Sequence, residues 1–78
     1  MMRILVAEDE RITRMSLARQ LGMWEHHVTV ADDGEAAWEL FQSGEFDLVI
    51  TDWEMPRLSG VELVQRIRQA NRPEYNYV

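Results

Sequence analysis

The sequence predicts an α/β domain in which a parallel sheet carries helices on both faces, and three observations lead there. Short apolar runs alternate with helix-patterned segments of about ten residues, in the order β-α-β-α-β-α. The first and third runs are continuously apolar, which marks strands covered on both faces. Two of the helical segments open on a capping-box pattern, so the switch from strand to helix is encoded locally.

Arg3 to Ala7 is strand one, ended abruptly by Glu8, Asp9 and Glu10. Arg11 to Leu21 consists of good helix formers, with an untidy apolar stripe of Ile12, Met15, Leu17 and Leu21; Gly22 follows as a C-terminal stop. His27 to Val30 is a brief strand rich in β-branched residues. Asp32, with Glu35 three residues on, is the expected cap of helix two, whose Ala36, Ala37, Leu40 and Phe41 share a face. Leu48 to Thr51 is strand three. Ser59 and Glu62 cap helix three, where Leu63, Val64 and Ile67 line up and Arg66, Arg68 and Arg72 suit the negative end of the helix dipole. Pro73 breaks the pattern, and "YNYV" begins a β-rich run that stops at Val78, so the chain reads as ending mid-fold.

A chain of 78 residues has room for one small domain, in which area burial and conformational entropy nearly cancel. Its 46% hydrophobic content and three tryptophans nevertheless place it among globular chains. Cysteine is absent, which removes disulfides and thiolate metal sites and fits a reducing, cytoplasmic setting. No apolar run approaches a membrane span, and "MMRILVAEDE" turns acidic too early for a signal peptide. A net charge of -6 repels a phosphate backbone, so no direct nucleic-acid contact is expected. Adjacent His26 and His27 lack the spacing of a zinc site and read as surface residues. All eight basic residues are arginines.

The informative feature is acidic. Parallel strands end along one edge, so Glu8 and Asp9 after strand one and Asp52 after strand three converge if those strands are neighbours. Each like-charge pair at ~4 Å then costs about 4 kcal/mol at an effective dielectric near 20, which calls for a cation or a raised pKa. Carboxylate oxygens suit a hard divalent ion such as Mg2+, which keeps its other positions for waters and phosphate oxygens. An aspartate beside such an ion is a natural nucleophile toward a phosphoryl group, and Asp52 is the candidate. Trp53, next in sequence, is expected to be partly exposed at the mouth of the crevice.

The segments "ILVAEDE", "VTVADDGEAAWEL" and "DLVITDWEMPRLSGVELVQRIR" resemble the receiver domains of two-component response regulators, the CheY-like family, over the whole chain. The DxxMPxxxG pattern of Asp52, Met55, Pro56 and Gly60, together with the acidic pair, carries the resemblance. It implies a flavodoxin-like, doubly wound parallel sheet of order 2-1-3, a truncated receiver occupying residues 1–78 and lacking strands four and five. It also implies Asp52 as phosphoacceptor and Mg2+ held by Asp9, by Asp52, by Glu8 mainly through a water, and by the backbone carbonyl of Glu54. The implied donor is a sensor histidine kinase, with self-catalysed transfer serving as a switch instead of enzymatic turnover. Glu8 stands where the family more often has Asp. The Ser or Thr and the Lys that close the family's phosphate site would lie beyond Val78, so these residues alone are expected to be nearly inactive.

Two other accounts compete. Strand three is expected to present a bare apolar edge, which invites a homodimer or swapped assembly without phosphotransfer. Haloacid dehalogenase-type phosphohydrolases also use a strand-end aspartate with Mg2+, but they want Asp two positions later, where this chain has Glu54, and place the motif at the first strand.

Overall fold

The computed structural model describes residues 1–70 and the strand Asn76–Tyr77. The elements run β1 (Arg3–Ala7), α1 (Arg11–Met23), β2 (His27–Ala31), α2 (Gly34–Ser43), β3 (Leu48–Thr51), α3 (Gly60–Gln69) and β4 (Asn76–Tyr77). All pairings are parallel and the order is β2-β1-β3-β4, which confirms the expected 2-1-3 arrangement. The sheet does not end at β3, however. Two residues of a fourth strand pair Asn76 with Leu48 and Tyr77 with Val49, so the expected bare edge of β3 is covered along half its length. Arg72 and Pro73 lie outside the described residues.

Register decides what faces what. Arg3 lies opposite His27 and Ala7 opposite Ala31 on one side, while Ile4 lies opposite Leu48 and Ala7 opposite Thr51 on the other. Because side chains alternate along a strand, the apolar run of β1 feeds both faces. Ile4 and Val6 pack with Leu21 against α1, whereas Leu5 and Ala7 join Val49, Ala37, Phe41, Leu63 and Ile67 beneath α2 and α3. The second layer is the larger, and it reaches into the β3–α3 loop through buried Met55 and Leu58.

Three local expectations are corrected. Helix α1 buries Leu21 and half-buries Arg14, Leu17 and Ala18, while Ile12 and Met15 are 76% and 57% exposed; only one face of a helix reaches the sheet, and theirs is not it. Its C-terminus passes Gly22 to Met23, and the left-handed backbone falls on Glu25, at φ 66°. Helix α2 is capped by Asp33, not Asp32: β2 continues to Ala31, and the Asp33 carboxylate accepts the Ala36 amide at 2.7 Å.

Helix α3 follows its sequence signal closely. Ser59 Oγ accepts the Glu62 amide at 3.2 Å and Glu62 returns to the Ser59 amide at 3.4 Å, completing a reciprocal cap. Arg66 lies over the Trp38 ring, 5.9 Å from its centroid, and so joins α3 to α2 as well as facing the helix dipole. Among the described residues no helix is long and apolar enough to cross a membrane.

Candidate functional site

The site is built where β1 and β3 leave the sheet. The Asp52 amide donates to the Ala7 carbonyl at 3.0 Å, extending the β1–β3 ladder past the last strand residue. The Glu8 amide does the same toward Ala31 of β2, also at 3.0 Å. These two bonds bring the tips of the strands level, and the three acids meet there. Glu8, Asp9 and Asp52 each offer a carboxylate oxygen, all within 4.8 Å of one another, with Glu8 and Asp52 half-buried and Asp9 exposed. No other such cluster occurs among the described residues, and neither histidine belongs to one.

Two of the three carboxylates, those of Asp52 and Glu8, accept backbone amides. Asp52 Oδ1 accepts the Trp53 amide at 2.8 Å, and Glu8 Oε2 accepts the Glu10 amide at 3.0 Å. Glu10 is the cap of α1, its carboxylate accepting the Thr13 amide at 2.9 Å. That bond keeps the Glu10 carboxyl below its ordinary value, and Glu10 stays outside the cluster. The Glu8 carboxyl is raised instead: partial burial is the main cause, the charges of Asp52 and Asp9 add to it, and the Glu10 amide opposes it.

The β3–α3 loop is clamped at two glycines. A Cβ on Gly60 would collide with the Asp52 carbonyl oxygen, and one on Gly34 with the Leu58 carbonyl, so both positions demand the smallest residue. The Gly60 amide donates to the Trp53 carbonyl at 2.9 Å, closing the loop on itself. Arg57, at φ 73°, reaches Asp33 at 3.9 Å and links this loop to the start of α2. Beside Asp52 an open cleft of about 320 Å³ runs between β3 and α3, lined by Thr51, Trp53, Gly60, Val61 and Val64 among others. A larger groove, between α2 and the end of α3, is lined by none of the acids.

Three of the four residues singled out in the sequence for the metal, Glu8, Asp9 and Asp52, therefore meet at this notch, and the fourth, Glu54, is not among the grouped carboxylates. Glu54 follows Asp52 by two positions with its side chain exposed, and Trp53 is 75% exposed. The sequence reading missed Arg14, whose Nη1 donates to the Glu8 carbonyl at 3.0 Å and more weakly to that of Asp9 at 3.5 Å. Its signal was available: a cation in the inward row otherwise formed by Leu17, Ala18 and Leu21. The donor set fits a hard divalent cation, since it consists of oxygens and includes carboxylates that otherwise repel.

Comparison with known proteins agrees with this geometry. The family profile described as the response regulator receiver domain matches residues 4–77. The virulence sensor protein BvgS of Bordetella pertussis is 46% identical over 69 residues, covering 88% of this chain and 6% of that protein. The response regulator receiver protein CpdR of Brucella abortus is 42% identical over 66 residues, covering 85% of this chain and 55% of the relative. The crystal structure of response regulator TrrA from Thermotoga maritima, in complex with Mg2+-BeF, superimposes with a TM-score of 0.91 at 39% identity, over 99% of this chain and 66% of that one. The chain thus spans about half of the Brucella relative and a small part of the Bordetella one. With fold, acid cluster and DxxMPxxxG loop in agreement, the chain belongs to the response regulator receiver domain family.

Proposed function

We propose that Asp52 is a phosphoacceptor, taking a phosphoryl group from a sensor histidine kinase in the presence of Mg2+. The observation that supports this reading most is the meeting of Glu8, Asp9 and Asp52 oxygens within 4.8 Å at the paired tips of β1 and β3. A carboxylate oxygen of Asp52 attacks the phosphorus of a phosphohistidine; the O–P bond forms as the N–P bond breaks, and the departing imidazole takes up a proton. Asp9, Asp52, Glu8 and the Glu54 backbone carbonyl would hold the cation. Bound there, Mg2+ offsets charge on the transferring oxygens. The chain's own bonds prepare the acceptor: the Trp53 amide fixes Oδ1, and the Ala7 carbonyl holds the backbone.

No lysine occurs in the 78 residues, so the phosphate clamp that family resemblance implies is not supplied by them. Oxyanion stabilisation of this kind is worth roughly 3 kcal/mol, and these residues alone take up little phosphate. The test is to treat a protein that contains this chain together with a phosphate-clamping lysine with acetyl phosphate and Mg2+ and locate the adduct by mass spectrometry. A label on Asp52 supports the reading, and a label on any other residue ends it.

A second reading, self-association, is favoured by the sheet face beneath α1. Leu48 and Ile50 of β3 are only half-buried there, and among the described residues β4 pairs with Leu48 and Val49 alone. A second copy covering that face would form a homodimer or a swapped assembly. Sedimentation of the chain at micromolar concentration as a stable monomer would refute it.

A further inference from the structure

We propose that Arg14 is the positioning residue of the acid pair: from α1 its guanidinium holds the β1–α1 turn in the conformation that brings the carboxylates of Glu8 and Asp9 to Asp52. The inference deepens the magnesium reading above and rests on it.

Arg14 is bonded to the turn at both ends. Its backbone amide donates to the Glu10 carbonyl at 2.9 Å, and its Nη1 spans the carbonyls of Glu8 and Asp9 at 3.0 and 3.5 Å. The side chain is half-buried on the inward row of α1, an expensive place for a cation without such partners. Those partners are carbonyls. Although three acids lie close by, Arg14 forms no ion pair with any carboxylate among the described residues. An arginine serving as counter-charge would bond the carboxylates themselves and occupy the oxygens a metal needs. Arg14 instead bonds the backbone behind them and leaves those oxygens facing one another within 4.8 Å. Residues that orient metal ligands in this indirect way are worth about tenfold or more in metal affinity.

The two roles predict opposite signs. In the chain, Mg2+ affinity is measured by calorimetry and by Trp53 emission for the unmodified protein, Arg14→Met and Arg14→Lys, with amide exchange of Glu10 followed in parallel. If Arg14 positions the turn, Arg14→Met weakens Mg2+ binding by about tenfold. Glu10 exchange quickens by a similar factor while that of Val49 is unchanged, and Arg14→Lys recovers only part of either effect. If Arg14 merely supplies charge, Arg14→Met binds Mg2+ more tightly and Arg14→Lys matches the unmodified chain; either result overturns the proposal. Should Arg14→Met fail to fold, Arg14→Lys carries the comparison, and an unchanged affinity in it overturns the proposal. If the unmodified chain binds no Mg2+, the metal reading falls, and Glu10 exchange alone then judges the positioning role.

Discussion

The backbone amide of Asp52 is hydrogen-bonded at 3.0 Å to the carbonyl of Ala7, the residue immediately before the acidic pair. One ladder bond beyond the end of β3 thus converts two sequence-distant acidic segments into one notch. Replacing Asp52 by Asn keeps an oxygen for the Trp53 amide and the bond to Ala7, so the fold is retained. What it removes is the nucleophile and one charge. Asp52→Asn is expected to give no phosphoryl adduct with acetyl phosphate and to weaken Mg2+ by more than the ~10-fold typical of indirect partners. Intact labelling of the variant would exclude Asp52 as acceptor.

Glu8 makes the notch sensitive to pH in a direction that can be worked out. Its native pKa lies above the ordinary 4.5, so the native state holds the proton more tightly than the unfolded chain does. The associated stability is fully present below that ordinary value and is lost as pH rises through the raised native pKa. Near neutral pH, without metal, the wild-type chain therefore bears the cost of a partly buried Glu8 charge, with the smaller repulsion from Asp52 and Asp9 added to it. Glu8→Gln, which keeps an oxygen for the Glu10 amide, should melt at a higher temperature than wild type near neutrality and show no advantage below pH 4.5. Saturating Mg2+ should reverse the order. Equal melting temperatures at both pH values would show that ionised Glu8 costs the fold nothing, neither through burial nor through its neighbours' charges.

Gly60 and Gly22 form a contrasting pair. A Cβ at Gly60 meets the Asp52 carbonyl and lies 3.1 Å from Thr51 Oγ1, and the backbone has little room to retreat because Asp52 is tied to Ala7. Gly60→Ala is expected to cost roughly 1–3 kcal/mol and to slow labelling of Asp52. A Cβ at Gly22 meets nothing within 4 Å in the last turn of α1, so Gly22→Ala should stabilise by up to about 1 kcal/mol. Urea denaturation of both variants checks the pair, and a neutral Gly60→Ala would show that the β3–α3 loop is not clamped as described.

Much of this architecture is legible in sequence because it is locally determined. Continuous apolar runs ending on acids mark β1 and β3, and Ser59 with Glu62 marks the start of α3, since a capping box needs only neighbours three residues apart. The misreadings arose where neighbours do not decide. Asp32 and Asp33 are equally good cap residues, and Glu35 three positions on favours Asp32 in sequence; only the continuation of β2 to Ala31 together with the close approach of Gly34 to Leu58 selects Asp33. Ile12 and Met15 look like core residues, but the sheet lies against the row of Arg14, Leu17, Ala18 and Leu21. Arg14 itself escapes a reading based on charge because its partners are carbonyls, which sequence does not display.

The cap of α3 offers a last measurement that joins stability to the site. Ser59 Oγ and the Glu62 carboxylate satisfy each other's amides, and the next residue, Gly60, closes on Trp53 and abuts Asp52. Removing the hydroxyl leaves the Glu62 amide without its acceptor at the helix start. Ser59→Ala should cost ~1 kcal/mol. In a domain of this size that lowers the melting temperature by about 4–8 °C. Because fraying at Ser59 loosens the attachment of the β3–α3 loop, Trp53 emission should become more solvent-like before global unfolding. Ser59→Asp, which restores an acceptor at the cap, should recover most of the loss; if it does not, the reciprocal bond with Glu62 contributes little to holding this end of the loop.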